Sequence, residues 1–121
     1  MFRDTKAFSG FSVDDIPVAK EFYGTTLGID VTEEHGMLQL RIAGGNPVLV
    51  YPKDNHVPAE YTTLNFPVDD IEATARELIA RGIVFERYGE GQDELGIQRG
   101  EGPLIAWFKD PAGNVLSIIQ E

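Results

Sequence analysis

Two pairs of adjacent aspartates are the first residues in this sequence whose type and spacing could do chemistry. Asp14 and Asp15 belong to the phrase Phe-Ser-Val-Asp-Asp-Ile. Asp69 and Asp70 occupy the same places in Phe-Pro-Val-Asp-Asp-Ile, 55 positions later. Neighbouring carboxylates can divide the work of a general acid and a general base. Each pair, however, stands where an apolar/polar alternation changes to apolar residues at helical spacing. The pattern therefore favours helix N-caps over catalysis.

The histidines are the next candidates, because imidazole is both a general base and the commonest metal ligand. His35 falls in a predicted hairpin turn and His56 in a predicted linker, and neither has a histidine four residues away. We interpret both as ordinary surface residues. No Gly-x-Ser-x-Gly motif is present to indicate a serine hydrolase. The glycine-rich stretches 89–91 and 100–102 carry Glu where a phosphate loop needs basic or hydroxyl residues, so they are interpreted as turns.

Composition limits the classes of partner. The chain has twenty acidic and ten basic residues among 121, a net charge of −10, which would repel nucleic acid. We interpret this charge as serving solubility rather than the attraction of a cationic ligand. There is no cysteine to form disulfides or thiolate sites. No apolar run approaches the roughly 18 residues of a membrane span, and the start does not resemble a signal peptide. We therefore expect a cytoplasmic protein with no membrane or nucleic-acid partner.

The repeated phrase predicts two copies of one unit, each a strand, a helix and three more strands. Gly28 and Gly82 each precede Ile and suit the left-handed residue that ends a helix, while Glu72, three residues after Asp69, is typical of a capping box. We predict a single α+β domain with units at 1–54 and 60–121 and a linker at 55–59. The predicted elements are strand 7–13, helix 17–27 and strands 29–33, 37–42 and 47–51, then strand 61–68, helix 70–81 and strands 83–87, 104–109 and 115–120. The irregular stretch 88–103, with a possible short strand at 95–97, is typical of a binding loop.

Three features in this order resemble the vicinal oxygen chelate superfamily, which includes glyoxalase I, extradiol dioxygenases, fosfomycin-inactivating transferases and bleomycin-binding proteins. They are the two Val-Asp-Asp-Ile junctions, Phe22-Tyr23 followed by Leu27-Gly28, and Asp-Pro-Ala-Gly-Asn at 110–114. The resemblance covers nearly the whole chain. It implies two paired βαβββ modules forming an open, curved mixed sheet with a barrel-like cleft, helices on the outer face and the ligand on the concave face.

The resemblance also implies four inward positions at which enzymes of the superfamily hold a divalent metal with His, Glu or Gln. This chain has Phe8, Thr63 and Ser117 at three of them, and Leu49 near the fourth. An aromatic ring and an alkyl side chain cannot coordinate, and neutral hydroxyls bind divalent ions poorly. We therefore predict no metal and no other cofactor.

The concave face implied by the resemblance mixes aromatic residues with a few hydrogen-bonding groups, which is typical of small-molecule sites. Trp107 lies in a strand with large apolar residues at both parities, so a core position and a stacking platform both remain open. Arg41 favours a planar or aromatic ligand with a polar or anionic group. The predicted ligand-binding residues are Phe8, Gln39, Arg41, Tyr51, Thr63, Asn65, Trp107 and Ser117.

These observations favour a metal-independent small-molecule-binding protein that sequesters an antibiotic or a metabolite. The alternative is a glyoxalase-like lyase or isomerase, or another enzyme of the same fold, with a diverged active site; no catalytic residue is identified. A structural or interaction module is least favoured. The chain departs from bleomycin-binding proteins at 100–103, where a Trp-Gly pair is expected. We expect a homodimer, because open sheet edges tend to pair.

Overall fold

Two units make up the chain in the structure, a computed structural model that describes residues 1–121. The first unit is Met1–Pro58 and the second is Ala59–Glu121. Each unit has its own mixed sheet and its own helix. The predicted α+β class is therefore confirmed, and the boundary between the units falls within the stretch predicted as a linker.

The first unit has four strands and one helical region. Strands β1 and β4 are parallel and the other pairs are antiparallel, in the order β1-β4-β3-β2. The predicted first strand was too long at its start, since only its last four residues are strand. The elements are β1 (Gly10–Val13), α1 (Ile16–Glu21), a π-helical segment (Phe22–Thr26), β2 (Asp30–Glu34), β3 (Met37–Arg41) and β4 (Val48–Pro52).

Helix α1 begins at Ile16, one residue before the predicted start, and is followed by a wider π-helical turn. The Asp15 carboxylate accepts a hydrogen bond from the Val18 N–H at 3.0 Å, so this aspartate is an N-cap. The prediction of one α-helix to residue 27 was wrong, because residues 22–26 form a π-helix whose 2.9 Å bond joins the Leu27 N–H to the Phe22 carbonyl. The wider turn lets two consecutive aromatic residues, Phe22 and Tyr23, be buried together with ring centroids 5.1 Å apart.

The first sheet has one buried face, as its alternation predicts. Leu38, Leu40 and Val50 are fully buried on this face, and Phe11 and Val13 join them under the helix. The opposite face carries the residues of the other parity, and we call it the open face of the first unit. It includes Gly10, Ser12, Thr32, Gln39, Arg41, Leu49 and Tyr51.

The second unit has three strands and one helix. Strand β5 is parallel to β7, which is antiparallel to β6, in the order β5-β7-β6. Helix α2 is capped by Asp70, whose carboxylate accepts from the Ala73 N–H at 3.0 Å. The predicted capping box was wrong, because the cap is one residue later than assumed and Glu72 forms an ion pair with Arg99. The elements are β5 (Thr62–Pro67), α2 (Ile71–Ala80), β6 (Leu104–Lys109) and β7 (Val115–Gln120).

The segment predicted as strand 83–87 is not a strand. One backbone hydrogen bond, from the Glu86 N–H to the Trp107 carbonyl at 2.8 Å, links it to β6. The Gln92 side chain accounts for the difference, since it donates to the Glu86 carbonyl at 2.9 Å and accepts from the Tyr88 N–H at 2.6 Å. These backbone groups would otherwise pair with a neighbouring strand. The short strand at 95–97 was also wrong: only isolated bridges through Gln98 occur there.

Helix length bears on membrane insertion. Helix α1 has six residues and α2 has ten. Neither has the length and hydropathy needed to cross a bilayer.

Candidate functional site

A small cavity lies against the open face of the first unit. The sheet register places Gly10 opposite Leu49, and Leu49 opposite Gln39, in one row across three strands. Leu49 and Gln39 of this row line the cavity, which has a volume of about 190 Å³. Two of its lining residues, Phe8 and Gln39, were predicted as ligand-binding. The full lining is Lys6, Phe8, Gln39, Asn46, Pro47 and Leu49.

Hydrogen bonding determines what this cavity offers a ligand. Arg41 donates to the Gln39 Oε1 at 3.2 Å. The amide N–H groups of Gln39 therefore remain as donors for a ligand. Lys6 adds an ammonium group to the lining. Arg41 itself is exposed and does not line the cavity. Besides the Asn46 amide, the cavity therefore presents the Gln39 donors and the positively charged Lys6, which suit a ligand with an acceptor or anionic group.

A serine and a histidine meet at the other end of the same face. Ser12 lies opposite Tyr51, which is 37% exposed, and its Oγ is 2.7 Å from the Nδ1 of His56. The interpretation of His56 as an ordinary surface residue was wrong, since its side chain is half-buried in this contact. His35 is exposed in its turn, as expected. No periodic signal could reveal the pair, because its members are 44 positions apart.

The predicted residues of the second unit share one row of its sheet. Asn65 lies opposite Ser117, and Ser117 opposite Trp107. The buried Ser117 hydroxyl donates to the Asn65 Oδ1 at 2.6 Å, so these two groups satisfy each other. Trp107 is half-buried on the Ser117 face, whereas Ala106 and Phe108 are buried on the other. The register thus answers the question of parity: Trp107 lies on the face of Ser117, opposite the face of Ala106 and Phe108.

An aromatic and charged group surrounds Trp107. The Tyr88 ring lies edge-on to the Trp107 ring, with centroids 5.4 Å apart. Partial burial raises the pKa of the Tyr88 hydroxyl, the Glu86 carboxylate raises it further, and Lys109 opposes the change. Lys109 and Glu86 form an ion pair at 3.5 Å. The phenol therefore stays neutral and can both donate and accept a hydrogen bond.

The four positions that correspond to the superfamily's metal ligands do not fit a metal. Phe8 and Leu49 line the cavity with carbon atoms. Thr63 donates to the Val115 carbonyl at 3.0 Å, and the Ser117 hydroxyl is bound to Asn65. No group of three His, Asp or Glu side chains is placed to hold an ion elsewhere. The absence of a bound metal remains a prediction for elemental analysis.

The stretch 88–103, predicted as a binding loop, is held by its own side chains. The Asp93 carboxylate accepts from the N–H groups of Leu95 and Ile97 and from the Arg99 Nε, each at 2.9 Å. Partial burial raises the pKa of Asp93, but the hydrogen bonds from Arg99 and the two N–H groups outweigh it and hold the pKa below its usual value. Ile97 is fully buried. This loop is a structured part of the second unit.

The chain is thus a pair of α+β units, each with a mixed sheet and a helix. The family model described as the Glyoxalase/Bleomycin resistance protein/Dioxygenase superfamily matches residues 8–118. The chain therefore belongs to this superfamily. The suspected resemblance to the vicinal oxygen chelate proteins is confirmed.

Solved structures agree with this assignment. A glyoxalase family protein from Enterococcus faecalis is 22% identical, with a TM-score of 0.71 and coverage of 98% of this chain and 99% of that one. TnmS3, an antibiotic-binding protein from a Streptomyces species, is 25% identical, with a TM-score of 0.71 and 97% of both chains covered. A superfamily member from Sphaerobacter thermophilus is 21% identical, with a TM-score of 0.70 and coverage of 97% and 98%. No curated protein matches the sequence.

Proposed function

We propose that this protein binds a small molecule without a metal ion and acts by sequestering an antibiotic or a metabolite. The observation that carries the proposal is the cavity on the open face of the first unit, whose lining combines the apolar side chains of Phe8, Pro47 and Leu49 with two amides and the Lys6 amine. Small-molecule sites are commonly built in this way. Similarity to the antibiotic-binding TnmS3 over 97% of the chain supports it.

Binding is favoured over lyase or isomerase chemistry of the glyoxalase type. Proton abstraction next to a carbonyl needs a base within hydrogen-bond reach of the substrate. The lining of the cavity includes two amides and one amine, but no carboxylate and no imidazole. The cavity therefore favours recognition over proton transfer.

The ligand that fits is planar or aromatic and carries an acceptor or anionic group. Phe8, which is 65% exposed, offers a ring face, and Leu49 and Pro47 offer apolar contact. Lys6 and the Gln39 amide supply the donors. In the second unit, the Tyr88 and Trp107 rings offer another aromatic surface, and Thr63, Asn65, Trp107 and Ser117 remain proposed ligand contacts of that unit. The volume of about 190 Å³ suits one fused-ring fragment rather than a whole drug-sized molecule.

Chemical-shift mapping on chelator-treated, 15N-labelled protein tests the proposal. The probes are 1-naphthoate, its neutral amide and the cationic 1-naphthylmethylamine. Naphthoate should bind best and shift the amide signals of Lys6, Phe8, Gln39 and Leu49. Lys6→Met should weaken naphthoate binding about tenfold, the lower end for a lost charge-assisted hydrogen bond, because Lys6 is exposed.

Lys53→Met is the matched control, since Lys53 is also exposed in the first unit but does not line the cavity. It should leave the affinity unchanged. Binding that disappears on chelation and returns with Zn²⁺ would contradict metal independence. Shifts confined to other surfaces would contradict the cavity as the site.

We also propose that the protein is a homodimer in the cytoplasm. The edge strands are β1 and β2 in the first sheet, and β5 and β6 in the second. Edge strands are liable to pair with another chain. Sedimentation equilibrium at tens of micromolar tests the dimer, because a standard-size interface is normally occupied there. A single species of 13.4 kDa would contradict it.

A further inference from the structure

The contact between Ser12 and His56 has the geometry of a nucleophile and its base. The Ser12 Oγ and the His56 Nδ1 are 2.7 Å apart, within the range over which an imidazole takes a hydroxyl proton during attack. Both side chains are half-buried, so solvent and small molecules can reach them. Neither residue lines the cavity beside Phe8 and Gln39.

The hydrogen bond is not needed to hold the histidine's segment in place. The Lys53 N–H donates to the Val13 carbonyl at 3.0 Å, which attaches this segment to the end of β1. The His56 N–H donates to the Lys53 carbonyl at 3.0 Å, which closes a turn before the imidazole. Backbone hydrogen bonds thus hold the segment of His56 in addition to the Ser12 contact.

Between the cavity and Ser12 the first strand has a glycine, with Leu49 beside it. Gly10 lies between Phe8 and Ser12 on the same side of the chain, roughly 7 Å from Ser12 by strand spacing. A Cβ at Gly10 would come within 3.1 Å of the Leu49 carbonyl oxygen, so this position has no room for a side chain without adjustment.

We infer that Ser12 and His56 form a catalytic pair that hydrolyses small carboxylic esters. The Ser12 Oγ attacks the ester carbonyl carbon while its proton passes to the His56 Nδ1. As the carbon–oxygen bond to the alcohol breaks, the imidazolium returns that proton to the leaving alkoxide, and an acyl-serine remains. Water then attacks the acyl-serine, giving its proton to His56, and the carboxylic acid leaves as the Ser12 hydroxyl is restored.

The activity goes beyond the proposed binding function and is independent of it. The two can fail separately, because naphthoate binding is measured at the cavity and ester hydrolysis at Ser12.

The test uses the whole chain with 4-nitrophenyl acetate as substrate and a fluorophosphonate as a covalent label for the serine. The variants are Ser12→Ala and His56→Asn. Asparagine keeps a hydrogen-bonding group near the Ser12 Oγ but cannot act as a base. The matched controls are Ser9→Ala, on the chain just before β1, and His35→Asn, at the other histidine of the sequence.

The fluorophosphonate should label Ser12, as located by peptide mass spectrometry. Both Ser12→Ala and His56→Asn should lower the hydrolysis rate by about 100-fold or more, which is the usual contribution of a general base. The two controls should hydrolyse at the wild-type rate. Label found only on other residues, or a His56→Asn rate within about twofold of wild type, would overturn the inference. If Ser12→Ala fails to fold, label mapping on the wild-type chain and the His56→Asn rate still decide.

Discussion

The two units begin with the same strand, aspartate pair and helix, but different interactions stabilise the segments after that helix. In the first unit, β2, β3 and β4 are joined by regular backbone ladders. In the second, residues 83–103 have few backbone pairs, and the side chains of Gln92, Asp93 and Arg99 bind the backbone and one another instead. The repeated sequence phrase therefore determines the first strand and helix of each unit. In the second unit, single side chains determine the structure of residues 83–103.

The two sheets also differ in how their polar side chains are used. In the second unit, the hydroxyls of Ser117 and Thr63 are bound within the unit, to Asn65 and to a backbone carbonyl. In the first unit, Gln39 has one bond from Arg41 and its amide N–H groups at the cavity. The Thr32 hydroxyl, opposite Gln39 on the same face, is buried without a partner. Ligand recognition is therefore proposed mainly for the first unit.

The largest effect should come from a glycine in the side-chain-stabilised loop. Gly96 has φ of +94°, and a Cβ there would lie 2.8 Å from the Phe85 Cβ. Gly96→Ala should lower the free energy of unfolding by about 2–5 kcal/mol, since left-handed strain adds to overpacking. Urea denaturation followed by circular dichroism measures this change.

Gly36→Ala is the control for this substitution in the first unit. Gly36 also has a positive φ, +75°, but nothing lies within 4 Å of a Cβ there. Its loss of stability should be only about 1–2 kcal/mol, the cost of the left-handed backbone alone. Equal losses for the two variants would show that the loop around Gly96 is not closely packed.

A smaller effect should come from Asp93, whose carboxylate organises that loop. Asp93→Asn should lower the free energy of unfolding by about 1–2 kcal/mol, because the ion pair with Arg99 is lost and two N–H bonds weaken. Glu94→Gln, at the exposed neighbouring residue, should change it little. An Asp93→Asn protein as stable as wild type would contradict the organising role.

The same carboxylate predicts a dependence on pH. Its folded pKa lies below the ordinary 3.8, so its contribution to stability is present above that value. The contribution should disappear as the pH falls through the lower folded pKa. The stability difference between wild type and Asp93→Asn, measured by urea denaturation, should therefore shrink in this acid range. A difference that does not depend on pH would exclude the ionised carboxylate as its source.

The smallest effects on stability should come from the two helix caps, which test what the units share. Asp15→Ala and Asp70→Ala should each cost about 1 kcal/mol, because each removes the acceptor for one N–H of a helix's first turn. Asp14→Ala and Asp69→Ala should cost less, since the caps are the second residue of each pair. Thermal denaturation of the four variants checks the order, and a reversed order within either pair would be inconsistent with the assigned caps.

Local patterns were enough for the elements that local interactions stabilise. Residues 104–109 and 115–120 were predicted as strands with the correct bounds. In residues 83–87, Ile83 and Phe85 are buried at alternate positions, but alternation does not identify a pairing partner. The Gln92 side chain instead binds the Glu86 carbonyl, which a neighbouring strand would need. Parity alone also left Trp107 open until its register with Ser117 was known.

The candidate site was harder to predict than the fold. Phe8 and Gln39 were found because strand alternation places them on one face. Lys6 precedes the first strand, so strand alternation could not predict which face its side chain is on. It lines the cavity because the segment before β1 lies beside the cavity. The Asn46 side chain helps to hold that chain, donating to the Ala7 carbonyl at 2.8 Å. Contacts of this kind join residues 39 positions apart and have no periodic signature.

The most direct test of the central claim compares one amide from each unit. Gln39→Leu and Asn65→Leu each replace an amide with an apolar group of similar size, the first in the cavity and the second beside Ser117. The affinity for 1-naphthoate is measured by chemical-shift titration of chelator-treated protein. Gln39→Leu should weaken binding by about tenfold, and Asn65→Leu should change it by less than about twofold. An unchanged affinity in Gln39→Leu, or a larger loss in Asn65→Leu, would contradict the assignment of the ligand site to the first unit.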